Sequence, residues 1–367
     1  MTDEIFMKRA IALAKRGAGR VSPNPLVGAV FVKDGRIIAE GFHRRYGGPH
    51  AEIDALGKAG EPIEGTTLYV NLEPCCHQGK TPPCVEAIIA HRPARVVAGT
   101  LDPNPAVSGR GMELIARQGI ATRVGVLEEE CRRLNEVFFK YMETGIPFIT
   151  LKYAQTLDGR IATASGHSRW ISSPASLKFA HRLRGLHDGI LVGIGTVVKD
   201  DPELTVRLVK GRNPLRIVAD SHLAISPDAR ILQNQGVAPT IIVTTALADP
   251  VKRAELVSRG LEILSLGENT PAGVDLPKLL TALGKRGVSS LLVEGGAKMI
   301  TSFLATGLAD RMVIVQAPKI IGAGVEAVGN LGVNLMDEAI RLRSIRTRRL
   351  GGDLIMDGRI CKNSEPR

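Results

Sequence analysis

The residues that most constrain the fold of this chain are three potential metal ligands at widely separated positions: His50, Cys75 and Cys84. One histidine and two cysteines can hold a zinc ion and leave its fourth coordination position open to water. These residues can meet only if the segments that carry them converge in space. We therefore predict that they lie at strand ends and helix starts of an α/β layer, where sites on such sheets usually form.

A carboxylate accompanies these ligands, because Glu52 follows His50 by two residues. Zinc with three protein ligands lowers the pKa of its bound water to about 7, and a carboxylate that is not a ligand can move that water's protons. This set of groups is typical of the hydrolytic deamination of nucleobase-like rings. The alternatives are unreactive buried thiols and a structural zinc site that Cys76 or His77 closes. The presence of Glu52 favours catalysis, because a structural zinc has no use for it.

The spacing of the two cysteines differs from that of deaminases that act on nucleic acids, which typically carry Pro-Cys-x-x-Cys. Here Gln78 stands three residues after Cys75, and the second cysteine is delayed to Cys84. The longer loop between them contains His77 and Lys80, whose positive charge suggests an anionic substrate group such as a phosphate.

The first half of the chain alternates predicted helices and strands, which implies right-handed βαβ crossovers and a sheet covered by helices. Asp34-Gly35 predicts a tight turn between the first two strands. Pro82 and Pro83 are expected in the first turn of the helix that carries Cys84, and both cysteines near helix N-termini. The predicted helices are 3–16, 51–59, one from Cys84 onward and 128–143, and the predicted strands are 28–32, 37–41, 68–72, 95–100, with a domain boundary at 145–147.

The second half again alternates, which predicts a mainly parallel sheet covered by helices. The predicted strands are 148–154, 189–193, 215–219, 240–244 and 289–293, and the predicted helices are 174–186 and 298–306. Neither a G-x-G-x-x-G pattern nor a Walker A loop occurs. The strand that ends in Glu294-Gly295-Gly296 and runs into a helix is a candidate phosphate-binding turn, or simply a tight connection.

Composition narrows the classes of protein and of partner. The chain has 367 residues and a hydrophobic content of 44%, which fit two well-buried domains. Its net charge of +11 would suit nucleic acid, but aromatic residues make up only 4% and offer little for base stacking. No apolar run reaches the length of a membrane span, the acidic N-terminus does not read as a signal peptide, and five cysteines fit a reducing cytoplasm. The arginines at 341, 343, 346, 348 and 349 are interpreted as a solvated face of a strand or turn.

Several motifs resemble those of the bifunctional riboflavin-biosynthesis deaminase/reductase family. The first-half motifs are 23–28, 41–43, the run EPCCHQGKTPPC at 73–84, and 101–105; those of the second half are 157–162, 168–172, 195–202, 204–207 and 293–296. The resemblance implies an α/β protein with two domains. Residues 1–145 would form a cytidine-deaminase-like three-layer domain that binds zinc, and residues 146–367 a dihydrofolate-reductase-like domain that uses NADPH.

The resemblance also implies roles for individual residues. Zinc would be held by His50, Cys75 and Cys84, with Glu52 as proton carrier, and the deaminase substrate by Asn24, His43, Lys80, Asp102, Asn104 and Ser108. NADPH would contact Ala154, Trp170, Thr196, Asp200, Ser221 and the run Gly296, Ala297, Lys298, Met299, Ile300, Thr301 and Ser302. The reductase substrate would contact Ser168, Arg184, Leu204, Arg207 and Glu294, where the two arginines suit a 5-phosphate or, alternatively, surface ion pairs. Glu294 could instead act as a charged helix cap, and Cys76 departs from the serine usual in the family.

The expected function is therefore bifunctional. The first domain would deaminate 2,5-diamino-6-(5-phosphoribosylamino)pyrimidin-4(3H)-one and release ammonia. The second would reduce the ribosyl group of the product to ribityl with NADPH. The alternative is a deaminase whose second half serves only for assembly. Partners are expected to be this phosphorylated small molecule and further copies of the chain, in a dimer or tetramer, rather than nucleic acid or membrane.

Overall fold

The computed structural model describes residues 2–79, 81–105, 107–267 and 273–361. The chain divides into two compact units, Met1–Gly145 and Ile146–Arg367. None of the helices in these described ranges is long and apolar enough to cross a bilayer.

The first unit is built on a five-stranded mixed sheet. Its strands are β1 (Gly28–Lys33), β2 (Arg36–Phe42), β3 (Thr67–Val70), β4 (Arg95–Ala98) and β5 (Ala121–Val124), in the order β2-β1-β3-β4-β5. Strand β1 runs antiparallel to β2 and β3, whereas β3, β4 and β5 are parallel. The predicted turn between β1 and β2 is confirmed: Asp34 and Gly35 have φ of +50° and +75°, as a two-residue hairpin turn of the primed type requires.

Helices cover both faces of this sheet, which gives the expected three layers. They are α1 (Asp3–Ala14), α2 (Ala51–Leu56), α3 (Cys84–His91), α4 (Arg110–Arg117), α5 (Glu128–Leu134) and α6 (Glu136–Thr144). Because alternate strand residues face opposite sides, Phe31 packs in the core under α2 and α3, while Val30 packs with Phe6 and Met7 of α1.

Three predictions for this unit need correction. Helix α2 ends at Leu56, because Gly57 and the following turn interrupt it. Pro83 is the N-cap of α3, so both prolines precede the helix. The single helix expected over 128–143 is two helices.

The break between α5 and α6 has a tertiary cause. The side chain of Asn135 accepts a hydrogen bond from the backbone N–H of Leu26 at 2.7 Å and donates one to the Leu26 carbonyl at 2.9 Å. Asn135 is 2% exposed, so both bonds lie away from water. The pair of bonds anchors the loop before β1 to the start of α6.

The second unit contains a nine-stranded sheet. Its strands are β6 (Phe148–Gln155), β8 (Gly189–Gly193), β9 (Leu215–Ala219), β10 (Thr240–Thr244), β11 (Glu262–Ser265), β12 (Ser290–Val293), β13 (Arg311–Gln316), β15 (Leu342–Leu350) and β16 (Asp353–Ile360); β7 (Arg160–Thr163) and β14 (Gly324–Glu326) pair separately. The order is β11-β10-β9-β8-β12-β6-β13-β16-β15. The first seven are parallel, as predicted, and β16 and β15 add an antiparallel edge.

The parallel strands are apolar on both sides because helices cover both faces. The helices are α7 (Pro174–Leu186), α8 (Ile194–Asp200), α9 (Pro250–Ser258), α10 (Leu276–Lys285) and α11 (Ala297–Ala305). Leu191 and Leu291 belong to one core, and Ile190 and Leu292 to the other. The arginines of β15 are exposed on this edge strand, which confirms the interpretation of that run as a solvated face.

Candidate active sites

The three potential metal ligands converge in the first unit. His50 is the N-cap of α2 and Cys84 is the first residue of α3. The Nδ1 atom of His50 lies 3.4 Å from the Cys75 sulfur and 3.3 Å from the Cys84 sulfur. The three ligand atoms all lie within 4.8 Å of one another, and one imidazole nitrogen with two sulfurs is a donor set that suits zinc.

The environment of the Cys75 sulfur favours thiolate formation. The backbone N–H of Cys84, at the start of α3, points at the Cys75 sulfur at 3.4 Å, so the helix terminus is used although Cys75 is in a loop. Hydrogen bonding from the Cys84 thiol, followed by that from His50, lowers the pKa of Cys75 to about 4. The same sulfur–sulfur contact, followed by burial, raises the pKa of Cys84, and a bound cation would displace the proton of this thiol.

Glu52 lies in the first turn of α2 and is 3% exposed. Burial is the main cause that raises its pKa to about 7, and the nearby Cys75 charge adds to the effect. Its Oε2 atom is buried and makes no hydrogen bond within the described part of the chain. A buried carboxylate oxygen without a partner is costly, and near a metal-ligand cluster it is suited to receive a proton from water.

A cavity of about 270 Å³ opens onto the cluster. Of the residues predicted for substrate binding, Asn24, His43, Asp102 and Asn104 line it, whereas Ser108 does not appear in its lining. Lys80 lies outside the described residues. Other residues that line the cavity are Tyr46, Gly47 and Gly48 on one loop, His77 and Gly79 on another, and Phe138, Tyr141 and Met142 on α6.

Hydrogen bonds orient the polar groups of this cavity. His43 Nδ1 lies 2.9 Å from the Pro49 carbonyl, which can only accept, so Nε2 is left to accept from the Asn24 amide at 3.2 Å. Burial lowers the pKa of His43, in keeping with a neutral ring. Burial raises the pKa of Asp102 to about 6, even though its Oδ1 accepts the N–H of Asn104 at 2.8 Å.

Sequence reasoning missed two contributors to this pocket. Glu73, 3% exposed, accepts four backbone N–H groups, those of Asp102, Gly109, Gly111 and Met112. Helix α6 supplies Phe138, Tyr141 and Met142, whose i, i+3, i+4 spacing places them on one helix face. That spacing was a usable signal for the helix face, whereas the role of Glu73 depends on tertiary closure alone.

In the second unit, Arg184 and Glu294 form a buried bidentate ion pair. Arg184 Nε and Nη2 lie 3.0 and 2.8 Å from the two Glu294 oxygens, and Nη1 lies 3.3 Å from the Thr205 carbonyl. Burial alone would raise the pKa of Glu294, but the charges of Arg184 and Lys152 outweigh it and hold this pKa at about 2. The sequence analysis offered a surface ion pair for Arg184 and a helix cap for Glu294 as alternatives, and both are revised. Arg184 does form an ion pair, but the pair is largely buried. Glu294 is bonded to this arginine rather than to a helix terminus.

Two more residues of this cluster escaped the sequence interpretation. Lys152 on β6 is close enough to Glu294 and Arg184 to interact with their charges, and burial lowers its pKa. His181 of α7 accepts the backbone N–H of Arg207 at 2.9 Å through Nδ1, and burial and the charge of Arg184 lower its pKa to about 4. The Arg207 guanidinium itself is 47% exposed and pairs with Glu203.

The remaining predicted residues of this unit follow the carboxyl ends of neighbouring strands. Ala154 is near the end of β6, Thr196 follows β8, Ser221 follows β9 and Glu294 follows β12, and these four strands are parallel neighbours. Such ends meet at one edge of a sheet. Asp200 is the last residue of α8, and Gly296 is the N-cap of α11, which carries Ala297, Lys298, Met299, Ile300, Thr301 and Ser302.

Three further predicted residues lie outside these strand ends. Leu204 is 3% exposed and has a φ of +54°. Trp170 is 66% exposed. Ser168 lies in the connection between β7 and α7. No hydrogen bond within the described residues joins Ser168 or Trp170 to Glu294 or α11.

Two family models match the chain. The cytidine and deoxycytidylate deaminase zinc-binding region matches residues 1–100, and the RibD C-terminal domain matches residues 147–356. The first range contains the His/Cys/Cys cluster, and the second contains the Arg184–Glu294 pair.

Whole proteins match over almost their full length. The riboflavin biosynthesis protein RibD of Aquifex aeolicus is 47% identical over 355 residues, which are 96% of this chain and 97% of that protein. The RibD protein of Escherichia coli is 40% identical and covers 97% of this chain and 99% of its own. A crystal structure of a diaminohydroxyphosphoribosylaminopyrimidine deaminase/5-amino-6-(5-phosphoribosylamino)uracil reductase from Thermotoga maritima is similar with a TM-score of 0.84 and 41% identity, over 98% of this chain and 99% of that one. The chain therefore belongs to the RibD family of riboflavin biosynthesis proteins, a bifunctional family that joins a deaminase and a reductase in one polypeptide.

Proposed function

We propose that this chain catalyses two successive steps on one phosphorylated pyrimidine. The first unit hydrolyses 2,5-diamino-6-(5-phosphoribosylamino)pyrimidin-4(3H)-one to 5-amino-6-(5-phosphoribosylamino)uracil and ammonia. The second unit reduces that product to 5-amino-6-(5-phosphoribitylamino)uracil. The names of the Thermotoga maritima relative support these substrates.

The deaminase step rests on Glu52, whose buried and unpartnered Oε2 adjoins the His/Cys/Cys cluster. His50, Cys75 and Cys84 fit a zinc ion, which when bound supplies an acidified water. Glu52 takes one proton from that water and passes it to the ring nitrogen, and it then carries the remaining proton of the added hydroxyl group to the amine, which leaves as ammonia. Asn24, His43, Asp102 and Asn104 hold the ring by hydrogen bonds, and Ser108 and Lys80 remain proposed contacts on the strength of the family motif.

The reductase step is proposed at the carboxyl edge of the second sheet. The N-terminus of α11 after Gly296 fits a phosphate of NADPH, since the position of a Gly296 Cβ meets no atom within 4 Å and leaves backbone room. NADPH when bound supplies the hydride. The other cofactor contacts proposed are Ala154, Trp170, Thr196, Asp200 and Ser221.

The substrate side of this site follows from its charges. Arg184 keeps the Glu294 carboxylate ionised and fixed in orientation. In this state Glu294 is suited to accept hydrogen bonds from the ribosyl hydroxyls. Arg207, exposed beside Leu204, is the better phosphate ligand of the two arginines, and Ser168 is a further proposed contact. Lys152, whose charge interacts with that of Glu294, is the proposed donor of a proton to the sugar oxygen as the ring opens.

A coupled assay tests both steps in the full chain. The phosphoribosyl substrate is supplied with zinc, and ammonia and NADPH consumption are followed in parallel. We expect Glu52→Gln to keep its metal content and to lose ammonia release by at least about 100-fold, while it still oxidises NADPH with the deaminated substrate. Ammonia release without any NADPH consumption by the wild-type chain would instead favour a deaminase with a non-catalytic assembly domain.

We also propose a homo-oligomer, a dimer or tetramer, in the cytoplasm. The segment 329–349 of the second unit is largely exposed and contains the apolar side chains Leu335 (65% exposed), Met336 (87%) and Ile345 (49%), which a second copy of the chain would cover in such an assembly. The second part of this segment belongs to β15, the edge strand of the described sheet. Light scattering of the purified protein measures the assembly, and a monomer at micromolar concentration would contradict it.

A further inference from the structure

The loop between β7 and α7 carries Trp170, one of the proposed NADPH contacts. Trp170 is largely exposed, so packing against the rest of the chain does little to fix its position. A loop that packs weakly samples many conformations unless hydrogen bonds restrict it. Two hydrogen bonds made by basic side chains restrict this one.

Lys319 makes the first of these bonds. Its Nζ donates to the carbonyl oxygen of Trp170 at 2.6 Å. Because the donor is charged, the bond is stronger than one between neutral groups. It engages the backbone of Trp170 only, so the indole ring stays available to a ligand.

The segment that carries Lys319 is itself firmly held. It follows β13 directly and is joined to the turn after β6. The backbone N–H of Leu157 donates to the Lys319 carbonyl at 2.7 Å. The carboxylate of Asp158 accepts the N–H groups of Ile321 and Gly322 at 3.2 and 2.8 Å. Lys319 therefore reaches the loop from a fixed backbone, which is what a residue needs if it is to position another.

Arg169 makes the second bond, on the other side of the loop. Its Nη2 donates to the carbonyl oxygen of Asp200 at 2.7 Å. Asp200 is the last residue of α8, and the carbonyls at a helix C-terminus lack partners within the helix and favour a cation. Since Asp200 and Trp170 are both proposed NADPH contacts, this bond joins two parts of the cofactor site through the protein alone.

We propose that Lys319 is a positioning residue of the reductase, which holds Trp170 in the conformation that receives NADPH, with Arg169 holding the same loop to α8. Lys319 acts through the backbone of Trp170 and does not touch the cofactor. Without its bond the loop samples other conformations, and NADPH binding has to order it, which lowers the affinity. This inference rests on the proposed function, because it assumes that this edge of the sheet binds NADPH.

Trp170 provides the signal for the test, because it is the only tryptophan in the chain. Lys319→Met removes the donor and keeps the length of the side chain, whereas Lys319→Arg keeps a charged donor. The matched control is Lys285→Met, at an exposed lysine that ends α10 and precedes the start of β12, at the opposite edge of the sheet. Two quantities are measured on the full chain: the fluorescence anisotropy of Trp170 without cofactor, and the Kd of NADPH from energy transfer between Trp170 and the reduced nicotinamide.

We expect Lys319→Met to lower the anisotropy of Trp170 and to raise the Kd of NADPH about fivefold. Its kcat at saturating NADPH should change less than about twofold, because bound cofactor restores the order of the loop. The melting temperature should stay that of wild type, since the bond lies at the surface. Lys319→Arg should recover most of both effects, and Lys285→Met should behave as wild type.

Three results would overturn the inference. Unchanged anisotropy and Kd in Lys319→Met refute the role of Lys319 and leave the proposed function standing. A raised Kd with unchanged anisotropy refutes it too, since Lys319 would then contact NADPH directly. An equal rise of the Kd in Lys285→Met would mean that any loss of positive charge weakens binding. A wild-type protein that binds no NADPH instead refutes the proposed reductase step, and the inference falls with it.

Discussion

Glu73 is expected to hold one wall of the deaminase cavity in place, and Glu73→Gln is the perturbation that measures this. One carboxylate oxygen accepts from Gly111 and Met112 at 2.9 and 3.3 Å, and the other from Gly109 and Asp102 at 2.9 and 3.2 Å. The loop that these bonds fix carries Asp102 and leads into α4. Substitution by glutamine keeps the shape of the side chain but replaces one oxygen with an NH₂ group.

The magnitude follows from the donors that lose their acceptor. The NH₂ group of glutamine would face two backbone N–H groups from which it cannot accept a hydrogen bond. Each unsatisfied buried donor costs about 1–3 kcal/mol, so the two together should lower the free energy of local opening by about 3 kcal/mol. Because 1.4 kcal/mol corresponds to a factor of ten, protection of these amides should fall by roughly 100-fold.

Amide hydrogen exchange followed by mass spectrometry is the suitable assay. The chain has one tryptophan, Trp170 in the second unit, so its fluorescence does not report on the first. Peptides covering 101–112 should lose protection in Glu73→Gln, while peptides of the second unit should not. Glu113→Gln is the matched control: that carboxylate is exposed and pairs with the exposed Arg117, and its loss should cost less than about 0.5 kcal/mol.

Equal exchange of Glu73→Gln and wild type over 101–112 would refute this role of Glu73. An equal loss of protection in Glu113→Gln and Glu73→Gln would refute it too, because the effect would then come from removing any negative charge near α4. A loss spread evenly over the whole chain would indicate global destabilisation rather than release of this wall.

Three further outcomes are expected. His187 is buried between the Leu183 carbonyl and Thr150, and burial lowers its pKa from 6.5 to about 4. The stability that the neutral His187 ring contributes is therefore complete above pH 6.5 and is lost as the pH falls toward 4. In urea titrations, His187→Gln should reduce the loss of unfolding free energy between pH 7 and pH 5 by about 2 kcal/mol. Arg184→Met should destabilise the second unit by about 3 kcal/mol because it leaves Glu294 buried without its main partner, and adding Glu294→Gln should recover a large part of this in thermal melts. Removal of the metal with a chelator should abolish ammonia release and leave NADPH oxidation with the deaminated substrate unchanged, which one split sample measures.

Secondary-structure elements that depend on a few neighbouring residues were predictable from the sequence. The Asp34-Gly35 turn needs only two residues that tolerate positive φ, and β8 and β12 are short apolar runs between turns. Strand β5 was not predicted, because all four of its residues are exposed and it offers no apolar pattern. The break at Asn135 was not predictable either, since its cause is a pair of hydrogen bonds to Leu26, more than 100 positions away in the chain.

In the candidate sites, too, residues of a characteristic type were predictable, whereas contacts between distant parts of the chain were not. His50, Cys75 and Cys84 could be found because metal binding admits few residue types, and the structure brings them together. The role of Glu73 could not be predicted, since its carboxylate accepts hydrogen bonds from backbone N–H groups, and any residue except proline supplies such a group. Arg184 was recognised as a charged residue of the site, but its partner was not, because the Arg184–Glu294 contact joins residues 110 positions apart.

The contrast between Glu52 and Glu294 explains why residue type alone does not assign a role. Both carboxylates are almost completely buried, and burial alone would raise the pKa of each. Glu52 has negatively charged Cys75 nearby and its pKa rises to about 7, so it can both take and give a proton near neutral pH. The charges of Arg184 and Lys152 lower the pKa of Glu294 to about 2, so Glu294 carries a negative charge near neutral pH. We therefore expect a proton needed in the proposed reductase step to come from a group other than Glu294, and Lys152, whose charge interacts with that of Glu294, is our candidate donor.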